Sequence, residues 1–227
     1  MDSAPLTQAK LDALWGEIQK ALQDSAWAQA EGLLRRFVQL MPQAPVEVWD
    51  VLAYALLMQG DYAACLVVLR PWSRDATRSF WVNHKLGDAL RGLNQWDEAV
   101  DAYEMSLADG SRESLTVRNL LQVLDAISPQ CAEVKLSEWQ SKGKMQNFVL
   151  EGAQEAATLV PGLELAEALF ALGEASALCR RRLLEAACYE LNWSRCDALL
   201  ASSRQCSEGL SLWEQQLEQR LTGFGLL

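Results

Sequence analysis

The feature that most constrains this chain is a pattern that returns. Trp49-x-x-Leu52-Ala53, followed by Gly60-Asp61-Tyr62-x-x-Cys65, comes back as Asn83-x-x-Leu86-Gly87, followed by Asn94-Gln95-Trp96-x-x-Ala99. Tyr62 and Trp96 stand 34 residues apart, and Trp27 precedes Tyr62 by 35. A unit of that length cannot bury an apolar face alone, so a chain built from it must stack neighbours. Inside each unit the apolar residues recur every three or four positions, as in Leu11, Leu14, Trp15, Ile18 and Leu22, which is helical spacing. The fold class that follows is all-α.

A Trp/Leu/Gly pattern in one helix, then Gly-Asp-Tyr and a small residue opening the next, resembles the tetratricopeptide repeat. The resemblance is carried by Val48 to Leu107, extends over the preceding 35 residues, and continues as period alone to the end. It implies a right-handed superhelical stack of antiparallel helix pairs, with the first helix of each pair lining a concave groove. The expected repeats are about 11–42, 45–77, 80–110, 114–141, 145–173 and 177–203, with a capping helix at 207–221, all within one domain over 6–227.

Local signals refine these units. Asp24-Ser25 breaks and caps the first pair; Pro42 closes the unit, and Pro45 suits the first turn of the next helix. Pro71 lies where helix should continue, so that helix is expected to end or kink near Leu69, with Trp72 re-entering the core. Leu86-Gly87 permits close helix approach, and Asp109-Gly110-Ser111 is a stop. Ser128-Pro129 reads as an N-cap and first-turn proline, while Glu133 stands where a small residue belongs. Pro161-Gly162 is a turn, and Asn192-Trp193-x-x-Cys196 echoes Asn94-Gln95-Trp96-x-x-Ala99. Trp27, Tyr62, Trp96 and Trp193 recur at one place in successive second helices and are read as core. The run Arg180-Arg181-Arg182 is read as a solvated face with at most one member turned inward, and Phe224, Leu226 and Leu227 as a tail that folds back.

A net charge of −10 opposes phosphate-rich partners, because nucleic-acid binding relies on basic surfaces that release counterions. No stretch approaches the roughly 20 apolar residues of a membrane span, and the first residues lack a basic segment before an apolar run. The expectation is a cytoplasmic protein without nucleic-acid or membrane partners, monomeric in preference. The six cysteines show no Cys-x-x-Cys spacing and are expected to be reduced thiols, Cys65 and Cys196 serving as small fillers. With a single histidine there is no histidine-based metal cluster, and common enzyme motifs are absent, so neither cofactor nor catalysis is expected.

On the faces that the resemblance turns toward the groove lie Asp50 and Tyr54, then Trp81, His84, Lys85, Asp88 and Arg91, then Arg118, Asn119 and Gln122. Cations beside amides and aromatic rings suit a carboxylate-bearing or acidic peptide; the same residues equally suit a solvated helix surface. Trp15 and Gln19 stand where the chaperone-tail members of the family place a Lys and an Asn, so that specialised clamp is not expected. The leading function is a non-catalytic adaptor binding a peptide segment or protein surface. The alternatives are an accessory module that holds substrate beside a sugar- or protein-modifying enzyme, and a self-assembling structural protein.

Overall fold

The computed structural model describes residues 8–73, 79–206 and 209–227. Among these there are thirteen α-helices, one short 3-10 turn and no strand. The chain divides into two compact units, Met1–Ser111 and Arg112–Leu227.

The first unit contains α1 (Gln8–Gln23), α2 (Trp27–Leu40), α3 (Val46–Met58), α4 (Tyr62–Leu69), α5 (Phe80–Gly92) and α6 (Trp96–Ala108). Each helix packs on the next, and α3 also packs on α5, the first helix of the following pair. Ile18, Leu34, Leu52, Leu56, Leu69 and Tyr103 are completely buried. As the proline predicts, α4 stops at Leu69, and Arg70–Trp72 forms the 3-10 turn. Trp72 returns only to a half-buried position, its ring 6.3 Å from that of Trp49. The end of the expected second repeat, 74–77, lies outside the described residues. Gly87 performs the close approach expected of it: a Cβ there would lie 2.6 Å from the Tyr103 ring.

Four helix pairs, three in the first unit and one in the second, close through the same backbone turn. Ser25, Gly60, Asn94 and Leu191 all take left-handed backbone, with φ of 54, 76, 58 and 56°. The residue after each donates its N–H to the carbonyl five residues back: Ala26 to Ala21, Asp61 to Leu56, Gln95 to Leu90 and Asn192 to Ala187. That bond is the Schellman closure, which satisfies a carbonyl the helix end leaves open. The next residue is Trp27, Tyr62, Trp96 or Trp193, the first of its helix. Two expectations are corrected. Ser25 is the left-handed residue and the N-cap is Ala26, which lacks a capping side chain. Asn192 corresponds to Gln95 rather than to Asn94, and it caps through its own side chain, accepting from Arg195 N.

The four rings are half-buried rather than core. A ring at the first position of a helix projects over the helix end, so it covers the neighbouring pair and keeps one side in solvent. Trp27 meets Tyr54 of α3 edge-on at 5.5 Å, and Tyr62 lies against Gly92 of α5, where a Cβ would be 2.5 Å from the ring.

The second unit contains α7 (Ser114–Ile127), α8 (Pro129–Ser141), α9 (Asn147–Leu159), α10 (Glu164–Ala171), α11 (Ala177–Tyr189), α12 (Trp193–Gln205) and α13 (Leu212–Gly223). First helices pack in series, α7 on α9 and α9 on α11, while α8 packs on α10. Gly152 makes the α7–α9 approach possible, since a Cβ there would stand 2.5 Å from the Ser114 carbonyl oxygen. Ser128 is the N-cap of α8 as expected, and the small-residue place belongs to Ala132, fully buried, while Glu133 is exposed. The small residue lies three positions after the first helical residue, Pro129, just as Ala99 follows Trp96.

The arginine run turns one member fully inward, as the expectation allows, and a second one partly. Arg180 is 2% exposed: its Nε donates to Glu214 Oε1 at 2.9 Å, Nη1 to the Ala175 carbonyl and Nη2 to the Gly209 carbonyl. Arg182 donates to the carbonyls of Ala157, Val160, Pro161 and Gly162, where α9 ends. Only Arg181 is solvated, paired with Glu185 and laid over the Trp213 ring. The capping helix begins later than expected, because Ser211 and Glu214 form a reciprocal capping box; Ser207 lies outside the described residues. Glu214 thereby links α13 to α11. In the tail Gly225 makes the turn, at φ 68°, and Leu226 N bonds to Leu221 O. Leu226 and Leu227 are half-buried, but Phe224 is 78% exposed and does not fold back.

Burial raises the Glu214 carboxyl pKa, and the hydrogen bonds from Arg180 and Ser211 outweigh it, leaving the group below the usual carboxylate range. Its folded pKa being depressed, its contribution is present above the unfolded value and is lost as pH falls through the folded one. Arg180→Met strands the buried carboxylate and should cost about 3–5 kcal/mol in denaturant unfolding. Adding Glu214→Leu should recover most of that loss; equal stability of single and double variants would show the pair is not coupled. In a second test Gly152→Ala should lose about 1–3 kcal/mol from overpacking. Gly32→Ala on α2, with no atom within 4 Å of the added methyl, should instead gain about 0.5–1 kcal/mol.

Candidate interaction face

In the first unit the nominated residues of α3 and α5 form one network. Ser79 caps α5 by accepting from Trp81 N, which fixes the first turn and directs Trp81. The Trp81 ring packs on Phe80 at 5.0 Å and edge-on to His84 at 5.1 Å; His84 in turn meets Tyr103 of α6 at 5.7 Å. Lys85, one residue on, reaches across to α3. Its Nζ donates to both carboxylate oxygens of Asp50 at 2.7 Å, and sits 6.0 Å from the Tyr54 ring centroid and 5.7 Å from that of Trp81. An ammonium held between two rings and a carboxylate is stabilised by cation–π attraction as well as by charge.

One turn further, Asp88 collects the remaining donors. Tyr103 Oη donates to Oδ1 at 2.6 Å, His84 Nε2 lies 3.3 Å from Oδ2, and Arg91 Nη2 lies 3.6 Å from Oδ1. Burial works to raise the Asp88 pKa, and the hydrogen bond and charge of His84, then Tyr103 and Arg91, together bring it below the ordinary value. His84 is 2% exposed and Lys85 9%. What reaches solvent is Tyr54, at 41%, with parts of Trp81, Asp50, Asp88 and Arg91.

Arg118, Asn119 and Gln122 stand on α7 of the second unit. Arg118 Nε donates to Asn119 Oδ1 at 3.2 Å, and its Nη1 lies 3.4 Å from Glu155 Oε2 of α9. Asn119 is buried and Gln122 half-buried. The expected patch of open cations is therefore different in kind: Lys85, Arg91 and Arg118 each already face a carboxylate of this chain.

Sequence reasoning did not nominate Tyr103, although it supplies the hydroxyl that fixes Asp88 and the ring that faces Gly87. The available signal was a tyrosine on the helix paired with Gly87. It also passed over Asp125, a buried residue on α7 whose Oδ1 has no hydrogen-bond partner. Burial, then the charge of Glu164, raise its carboxyl pKa against the pull of Arg182. Among the described residues no cluster of three or more His, Cys, Asp or Glu is placed to hold a metal ion, and no helix is long and apolar enough to cross a membrane.

No protein-family model matches the sequence, and no curated protein is significantly similar to it. Among solved structures the chain is similar to a tetratricopeptide repeat protein from Parabacteroides merdae ATCC 43184, with a TM-score of 0.56 at 10% identity, over 88% of this chain and 80% of that one. The fold is thus that of a tetratricopeptide-type helical repeat, as the resemblance implied.

The network carries a pH signature. Because the Asp88 pKa is depressed in the folded chain, its stabilisation is full above the unfolded carboxylate value, about 3.9, and is lost as pH falls through the folded value. Thermal unfolding followed from about pH 6 to about pH 3 should show a loss of stability that Asp88→Asn reduces. Parallel curves for the two proteins would remove Asp88 from the acid response.

Proposed function

We propose that the chain is a non-catalytic adaptor that docks a peptide segment or protein surface on the α3–α5 face of its first unit. Helical-repeat folds of this type support protein interaction in general. The observation that favours this face is the exposure of Tyr54 beside Trp81, with Lys85 locked between the rings by Asp50. An incoming carboxylate would compete with Asp50 for Lys85 and with Asp88 for Arg91, so little net charge attraction is left for it. An apolar or aromatic anchor laid on Tyr54 and Trp81 gains burial without breaking those pairs. Arg118 of the second unit is committed in the same way, to Glu155 and Asn119. The reading of 6–227 as one continuous array, of a cytoplasmic setting and of a monomer belongs to the same proposal.

The self-assembly reading has its own observation: Phe224 and Leu212 at the last helix are 78% and 71% exposed. Large apolar surfaces of that kind mark contact sites when they are contiguous.

A photo-crosslinking residue placed at Tyr54 tests the first reading against one placed at Val67, which is 76% exposed on α4. A partner captured at 54 and not at 67, and lost from the Tyr54→Ala protein by affinity measurement, is expected. Equal capture at both positions, or capture of a second copy of this chain alone, would move the site away from this face.

A further inference from the structure

The end of α11 and the start of α12 bring two thiols together. Cys188 Sγ and Cys196 Sγ lie 3.6 Å apart. Cys196 occupies the small-residue place of its helix, as Cys65 does in α4, and both are fully buried. The difference lies opposite: eight residues before Cys65 the chain has Leu57, and eight residues before Cys196 it has Cys188. Cys188 is only half-buried, and all six cysteines are free thiols.

We propose that Cys188 and Cys196 are an oxidation site, closing to a reversible disulfide when a hydroperoxide reaches the more accessible Cys188. A disulfide requires sulfurs about 2.05 Å apart, so the pair must close by roughly 1.5 Å. The two side chains belong to helices joined only by the turn 190–192, and closing the bond asks for side-chain rotation rather than for separated elements to meet.

The difference in access fixes the order of steps. The Cys188 sulfur attacks an oxygen of hydrogen peroxide, the O–O bond breaks, and sulfenic acid and one water form. The Cys196 sulfur then attacks the Cys188 sulfur; the hydroxyl leaves and takes up the Cys196 proton as a second water. Two thiols have lost two electrons to one peroxide, and a dithiol reductant reverses the bond by exchange. The disulfide would bind the first turn of α12 to the last turn of α11, across the turn where Leu191 holds left-handed backbone. It cross-links a short loop, which restricts the unfolded chain and stabilises the pair.

The test is oxidation of the full chain with hydrogen peroxide, followed by denaturation, alkylation with a maleimide and mass spectrometry. The expected result is alkylation of four thiols in place of the six of the untreated chain, a peptide pair linked through Cys188 and Cys196, and return to six after dithiothreitol. In Cys196→Ser, dimedone should label Cys188. Six alkylated thiols after peroxide, a link between other cysteines, or sulfinic acid at Cys188 without a link would each overturn the proposal. Because the wild-type mass map decides it, the result stands even where a variant folds poorly.

Discussion

Four of the helix pairs depend on one turn. At Ser25, Gly60, Asn94 and Leu191 the backbone enters the left-handed region, and the following N–H closes on the carbonyl five residues back. Left-handed backbone costs a non-glycine residue about 1–2 kcal/mol, and at Leu191 no polar side chain is present to offset it. The turn persists because it sets the phase of the helix that follows. The aromatic residue two positions on becomes the first of the new helix, and the small residue three positions later faces the preceding helix. Cys65, Ala99 and Cys196 are completely buried there. An added residue in such a turn would rotate the new helix by about 100° and turn the small side away from its partner.

Given that phase, separation between helices is set by what lacks a side chain. Gly87 leaves room for the Tyr103 ring and Gly152 leaves room for the backbone at Ser114. Where α3, α5 and α6 come this close, the polar groups between them have little water to turn to, and they pair with one another. That is why Lys85 finds Asp50, and why Tyr103, His84 and Arg91 converge on Asp88. Replacing a lysine in this setting by a neutral residue would leave Asp50 with an uncompensated charge.

The repeat period, the stop at Pro71 and the role of Gly87 were legible in the sequence because each rests on a local rule: spacing, a missing N–H, a missing Cβ. Two departures, at Arg180 and Lys85, involve partners distant in sequence. The arginine run is read as a solvated face with at most one member turned inward, and what selects Arg180 for burial is Glu214, 34 residues later, on a helix whose capping box starts at Ser211. Lys85 was read as open for the same reason, since Asp50 lies 35 residues earlier. The hairpin rings were assigned to the core from their recurrence, but recurrence specifies a position, and the first position of a helix is at its end. Glu133 was a register error of one residue, which Ala132 corrects.

These pairings change what the chain can offer a partner. Despite its net charge of −10, the α3–α5 face proposed for docking presents few uncommitted charges, because its cations already hold carboxylates. Exposed ion pairs add little affinity, and breaking a buried one to make another returns about the energy it cost. The part of the face whose burial is a net gain is aromatic: the exposed side of Tyr54 and the exposed part of Trp81, the two rings on which the Lys85 ammonium rests. The rings are also rigid, Tyr54 held edge-on by Trp27 and Trp81 held between Phe80 and His84, so little conformational entropy remains to be lost on docking. Charge here orders the surface from within, and under the proposed docking it leaves recognition to shape and apolar contact.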